Sequence, residues 1–342
     1  MPSIPISISG SGMVEGSKKR LFVPRLNNKY EQRLYEEIAK SSGIHYWRVN
    51  QFDPATQGGH LDAVSQAFEQ AMKSAGLYRK VNRKMSSRIG IIYFNMHGPT
   101  SFMNKEFQVK EMFQSDVFPA FLLNNHNITG YSVRLRDERN GLFQALELAR
   151  TLIQAQELDI VLVGGVFQSY SYLYLTEMLA ASAWQSDCQL ESDKTASTYT
   201  LCESAGFLVV EASATTEKRQ EKRQLDIHEL GSYRPSKSNQ SIKSLDLSFP
   251  SLNGKTIQQC YLGLSGLDGI TDLERSSLNT QFPDASLINT NQQWGDLVNL
   301  NGIKVLHEHR QQNSRHSSLL HSIDRTGNAW NLIFTNHHKN RM

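Results

Sequence analysis

Two short stretches limit the possible architectures most. Residues 88–94 (RIGIIYF) and 159–165 (DIVLVGG) are apolar at almost every position. A strand with one solvated face alternates apolar and polar residues, whereas a near-continuous run suits a strand covered on both faces, as in a parallel sheet between helix layers. The neighbouring segments fit that reading. Leu61, Val64, Ala67, Phe68, Ala71 and Met72 fall on one helical face within 61–77, which closes on Gly76 as a helix C-terminus does. Leu142, Ala145, Leu146, Leu148, Ala149 and Ile153 do the same within 141–156. Further strand-like stretches are 4–8, 205–211, 286–289, 302–306 and 330–334. Helices alternating with apolar strands predict an α/β fold with sheets buried between helices.

Composition narrows the function classes. The chain has 342 residues, 39% of them hydrophobic and 20% charged, ordinary for a globular protein with one large core or two modest ones. A net charge of +3, without a basic stripe interleaved with aromatics, argues against nucleic acid. The three cysteines, Cys188, Cys202 and Cys260, have no CxxC spacing, and their odd number speaks against a disulfide framework. We therefore expect a reducing, cytoplasmic setting, with no signal peptide and no membrane span. No cofactor is expected.

Three local features have bland readings. Gly10-Ser11-Gly12 has the wrong spacing for a nucleotide loop and reads as a turn at a strand end. The charged run 217–224, in which EKRQ occurs twice, reads as a solvated hairpin tip. His307-x-His309, read as alternate residues of a strand, and His337-His338, read as part of a solvated tail, offer two ligands each without a completing shell, so no metal site is expected.

Several segments, in order along nearly the whole chain, resemble landmarks of the β-ketoacyl synthases. These are 6–14 (ISISGSGMV), 67–77 followed by RIGIIYF, Gly130 through Ala149 around a nucleophile elbow, 157–166 (ELDIVLVGGV), 203–211 (ESAGFLVVE) and 319–329 (LLHSIDRTGNA). The resemblance implies a thiolase-like, duplicated, five-layered α-β-α-β-α fold with halves at 1–200 and 201–342. It also implies dimerisation through the strand beside the elbow, which makes Tyr131, Val133 and Leu135 interface candidates.

A decarboxylative condensing enzyme needs a thiolate at a helix N-terminus, where dipole and amides lower the thiol pKa, and two histidines to act on the malonyl group and the developing oxyanion. Alignment from Gly130 and Ala145 sets Arg139 at the cysteine position, and an arginine cannot be deprotonated in a protein. Counting back from Asp272-Leu273-Glu274, which resembles an acidic anchor, sets Leu264 at the first histidine. Asp296 falls at the second, and Asn291 where a supporting lysine sits.

The resemblance then implies a non-catalytic subunit of the chain-length-factor kind. Such a subunit pairs with an active ketosynthase, meets an acyl carrier protein through the complex and shapes the acyl tunnel. Phe107, Met112, Phe113, Phe118 and Phe121, with Phe102 and Met103, are candidates for that wall, ordinary core being the other reading. Arg139 is expected to pair with Asp137, Glu138 or Asp296, or else to bind an acidic ligand. Competing readings are an enzyme with a relocated nucleophile at Cys202, and a homodimeric scaffold or acyl-ligand binder.

Overall fold

The computed structural model describes residues 4–16, 29–30, 33, 45–47, 57–78, 83–95, 117–136, 139–167, 200–218, 223–237, 245–247, 249, 256–266, 268–312, 316–324 and 327–338. Ten strands form one sheet. In chain order they are β1 (Ile6–Glu15), β2 (Ile89–Asn95), β3 (Ser132–Arg136), β4 (Ile160–Phe167), β5 (Ser204–Ala212), β6 (Arg223–Tyr233), β7 (Ile257–Leu262), β8 (Ser286–Asn289), β9 (Ser317–Ile323) and β10 (Ala329–His338). The main helices are α1 (Gln57–Ser74), α2 (Val117–His126), α3 (Gly141–Gln154), α4 (Asp268–Gln281) and α5 (Asn301–Gln311).

The strand order is β8-β7-β9-β10-β6-β1-β5-β4-β2-β3. Numbering each set of five along the chain, β1–β5 and β6–β10 both read 3-2-4-5-1 from the outer edge inward. Directions repeat too: β2 lies parallel to β3 and β4, as β7 does to β8 and β9, and the remaining partners within each set are antiparallel. The duplication is thus explicit in the topology. A short antiparallel pairing of Ile6–Ile8 with Leu225–Ile227 joins the two sets.

Burial follows the strand period of two. Ile89, Ile91 and Tyr93 of β2 pack with α1 in an outer apolar cluster, while Ile92 and Phe94 turn to a central cluster with α3 and α5. In the second set, Cys260 and Leu262 of β7 join α4 in a third cluster, and Tyr261 faces the centre. The layers are therefore helix, sheet, helices, sheet, helix. The near-continuous apolar runs are needed because both faces are covered.

Several expectations change. Gly10 and Gly12 do not turn the chain: β1 runs through both, with a bulge between Ile8 and Gly10. Their role is tertiary. A Cβ at Gly10 would lie 2.3 Å from the Ala71 carbonyl oxygen, and one at Gly12 2.1 Å from that of Ala67, so the missing side chains let α1 ride directly on β1. The alanine-rich face of α1, with Ala63, Ala67 and Ala71 buried and Ala75 buried just past its end, belongs to the same close approach.

Residues 302–306 are helical, not a strand. A short apolar run reads alike in either state, and in α5 residues 301–306 are buried all round. His307 and His309 consequently lie on a helix, and the backbone of His337 and His338 pairs with Gln224 and Arg223 as the end of β10 rather than a tail. Residues 213–218 form a short helix, and β1 separates β5 from β6, so those two strands do not form a hairpin; residues 219–222 of the charged run lie outside the described residues. The half boundary also moves. β5 completes the first set, so the division falls between Ala212 and Arg223 rather than at 200. No helix among the described residues is long and apolar enough to cross a membrane.

Candidate functional site

The carboxyl ends of the parallel strands in both sets point to a common centre, the usual place for ligands in α/β sheets. Arg139 stands there, just before the first turn of α3, with its side chain 1% exposed. A cation at a helix N-terminus opposes the helix dipole and needs a counter-charge. Asp296 supplies it: Nη1 donates to Oδ1 at 2.6 Å and Nη2 to Oδ2 at 2.8 Å, a two-pronged pair, and Nη1 also donates to the Leu264 carbonyl at 3.1 Å.

Asp296 Oδ1 accepts two further bonds, from the Val298 N–H at 2.8 Å and from Asn301 Nδ2 at 2.7 Å. Asn301 Nδ2 lies 3.2 Å from Asn291 Oδ1, and Asn291 Nδ2 donates to the Gly263 carbonyl at 2.6 Å. Positions 139, 264, 291 and 296, drawn from separate stretches of sequence, thus meet in one network, buried at 139, 264 and 296 and half-buried at 291. Of the three partners considered for Arg139, Asp296 is the one placed against it, and Asp137 and Glu138 lie outside the described residues.

Two neighbouring networks brace this centre. Asn140, fully buried, donates to Asp324 Oδ2 at 2.9 Å and the Asn328 carbonyl at 3.2 Å, and accepts from Ser322 Oγ at 2.9 Å, which ties the β9–β10 turn to the start of α3. Glu274 receives the Gly263 N–H at 3.1 Å and faces His321 Nδ1 at 2.6 Å, both side chains fully buried. His321 Nε2 in turn meets the Tyr233 hydroxyl at 2.9 Å. Sequence reading missed Asn140 and Asn301 altogether. The available signal was internal: Asn140-Gly141 and Asn301-Gly302 open the equivalent helices of the two sets.

Chemically, none of the four central side chains is a thiol or an imidazole, and the Asp296 carboxylate is engaged on both oxygens. Cys202 is near in backbone terms, its N–H donating to the Asp296 carbonyl at 2.8 Å. Its thiol is unsuited to attack. Burial, with Glu15 and Glu203 adding to it, pushes the group up to about 12, so it is held protonated. We expect the Cys202 peptide of the folded protein to be alkylated at pH 8 about a thousandfold more slowly than free glutathione. Rapid labelling without unfolding, read by peptide mass spectrometry, would revive the relocated-nucleophile reading.

The histidines of α5 are structural. Gln311 Nε2 donates to His307 Nε2 at 2.7 Å, so Nδ1–H of His307 donates to Ser11 Oγ at 3.0 Å. His309 packs edge-on against Phe334 and reaches the Tyr261 hydroxyl at 3.3 Å. Burial lowers both to about 4. Since the unfolded His309 takes up its proton near pH 6.5 and the folded one only near 4, stability is intact above 6.5 and falls as pH drops toward 4, by about 3 kcal/mol in all. Urea denaturation of wild type and His309→Leu across that window checks this: the acid slope should be shallower in the variant, and an equal slope would sink the assignment. Among the described residues no three His, Cys, Asp or Glu side chains converge as metal ligands.

The other sequence candidates are less visible. Phe102, Met103, Phe107, Met112 and Phe113 lie outside the described residues, and Phe118 and Phe121 are placed only as backbone positions of α2. Tyr131 is 45% exposed, and Val133 and Leu135 are half-buried against the central cluster. They belong to, or directly precede, β3, which among the described residues is an edge strand hydrogen-bonded to β2.

Solved structures carry the same architecture. The PfaC keto synthase-chain length factor matches with a TM-score of 0.67 at 15% identity, over 98% of this chain and 43% of that one. A β-ketoacyl synthase from Burkholderia phymatum matches at 0.65 and 13% over 98% and 100%. The type II polyketide ketosynthase complex AntDE:AntF matches at 0.62 and 13% over 97% and 99%. The fold is the thiolase-like fold of the ketosynthases. Residues 22–215 match the β-ketoacyl synthase N-terminal domain, and the chain belongs to that family. No curated protein matches it in sequence.

Proposed function

We propose that this chain is a non-catalytic β-ketoacyl synthase-like subunit of the chain-length-factor kind. It pairs through β3 with a cysteine-bearing ketosynthase in the cytoplasm and helps to shape the tunnel in which a polyketide, polyene or fatty-acyl chain grows. The acyl carrier protein meets the complex rather than this chain alone. The observation that carries the reading is the buried Arg139–Asp296 pair at the start of α3. A permanently charged guanidinium stands where the family places its sulfur nucleophile, and its partner stands at a histidine position. Likeness to a keto synthase-chain length factor and to a ketosynthase caught with its acyl carrier protein supports the setting. The outer edge of β3, unpaired among the described residues and with Tyr131 exposed beside it, supports the mode of pairing.

The test is co-expression of the tagged chain with the condensing enzymes of its host. One-to-one recovery of a cysteine-bearing ketosynthase is expected, and Phe107→Ala or Phe113→Ala should lengthen or broaden the products of that complex. Recovery of the chain solely as a self-associated dimer would replace this reading with the homodimeric scaffold.

A further inference from the structure

Two anomalies sit side by side in the turn between Asp296 and α5. Val298 has φ 55°, the left-handed region that a β-branched residue avoids at about 1–3 kcal/mol. The next residue, Asn299, is 1% exposed. Its Nδ2 donates to the Phe94 carbonyl at 3.3 Å, yet its Oδ1, also buried, meets no donor among the described residues. Exchanging the two amide atoms would only set oxygen against oxygen. A buried acceptor without a donor costs about 1–3 kcal/mol.

Neither feature helps the fold, and the strained one is actively held, since Asp296 Oδ1 grips the Val298 N–H. What the turn achieves is placement. Asn299 is set at the carboxyl end of β2, beside Gly165 of β4, where an added Cβ would stand 3.7 Å from Asn299 Nδ2. Ligands of α/β sheets bind at such strand ends. Backbone strain and an orphaned polar atom at one buried spot are the marks of a binding position.

We propose that Asn299 is a specificity residue for an acyl-pantetheine ligand, its Oδ1 accepting a hydrogen bond from an O–H or N–H that the ligand brings. This rests on the reading that an acyl chain enters the fold. The donor is either a hydroxyl on the acyl chain or an amide of the pantetheine arm.

The experiment measures binding of two non-hydrolysable probes, octanoyl- and 3-hydroxyoctanoyl-pantetheine amide, to the purified full chain with any co-purified partner. If the chain hydroxyl is the donor, wild type favours the hydroxylated probe by about tenfold and Asn299→Leu abolishes the preference. If the pantetheine amide is the donor, wild type binds both alike and the variant weakens both by about tenfold. In either case the melting temperature of the variant should change little, because removal of the orphaned oxygen offsets loss of the bond from Nδ2 to the Phe94 carbonyl; Asn299→Ala serves should leucine not fit. Unchanged affinities, with or without a lower melting temperature, would overturn the proposal while leaving the subunit reading intact. Failure of wild type to bind either probe would remove both.

Discussion

Arg139→Met is expected to destabilise the protein by about 3–5 kcal/mol, because it strands the Asp296 carboxylate in the interior. The pair is buried on both sides, and the helix dipole at α3, which opposes the arginine and favours the carboxylate, offsets only a part of that cost. Asp296→Asn should cost a comparable amount by stranding the guanidinium. The double variant Arg139→Met/Asp296→Asn is the informative one. An asparagine at 296 keeps an acceptor for the Val298 N–H and Asn301 Nδ2, while the bond from Arg139 to the Leu264 carbonyl is lost. We expect it to recover at least about 2 kcal/mol relative to the sum of the single changes. Urea unfolding of the four proteins measures the coupling. Simple additivity would mean that the two charges do not stabilise each other, and the account of a self-neutralised centre would fall with it.

Gly12→Ala should be nearly as damaging, at about 3 kcal/mol, although it adds a single methyl group. The added carbon would meet main-chain atoms, 2.1 Å from the Ala67 carbonyl oxygen and 2.5 Å from the Ala71 nitrogen, which cannot rotate aside. β1 cannot retreat either, since β5 pairs with it along most of its length. Gly269→Ala is the control. Nothing lies within 4 Å of its missing Cβ, and in the first turn of α4 alanine should be neutral or stabilise by up to about 1 kcal/mol. Thermal melting separates the two, and equal behaviour would show that α1 does not ride on the glycines as described.

What was legible in the sequence, and what was not, divides along the range of the interactions. β2 and β4 were plain because burial on both faces writes an apolar residue at every position. The same two glycines of β1 were misread because a glycine announces only the lack of a side chain; whether that serves a turn or a helix packed overhead is a tertiary matter. Residues 302–306 misled for a related reason, since complete burial erases the period that distinguishes helix from strand. The convergence of 139, 264, 291 and 296 could be expected only through the family resemblance, and nothing local could choose Asp296 over the adjacent Asp137 and Glu138. Asn299 gave no signal, because a lone asparagine among apolar neighbours reads as part of a loop.

The order of strands sets a timetable for folding. Ile6 pairs with Ala212, and β1 is held between β5 and β6, both made long after it. At about 5–20 residues per second, β1 leaves the ribosome roughly 10–40 s before its partner exists. During that interval its apolar residues have no sheet to join, so the nascent chain needs a holdase or a provisional collapse to keep that segment from aggregating.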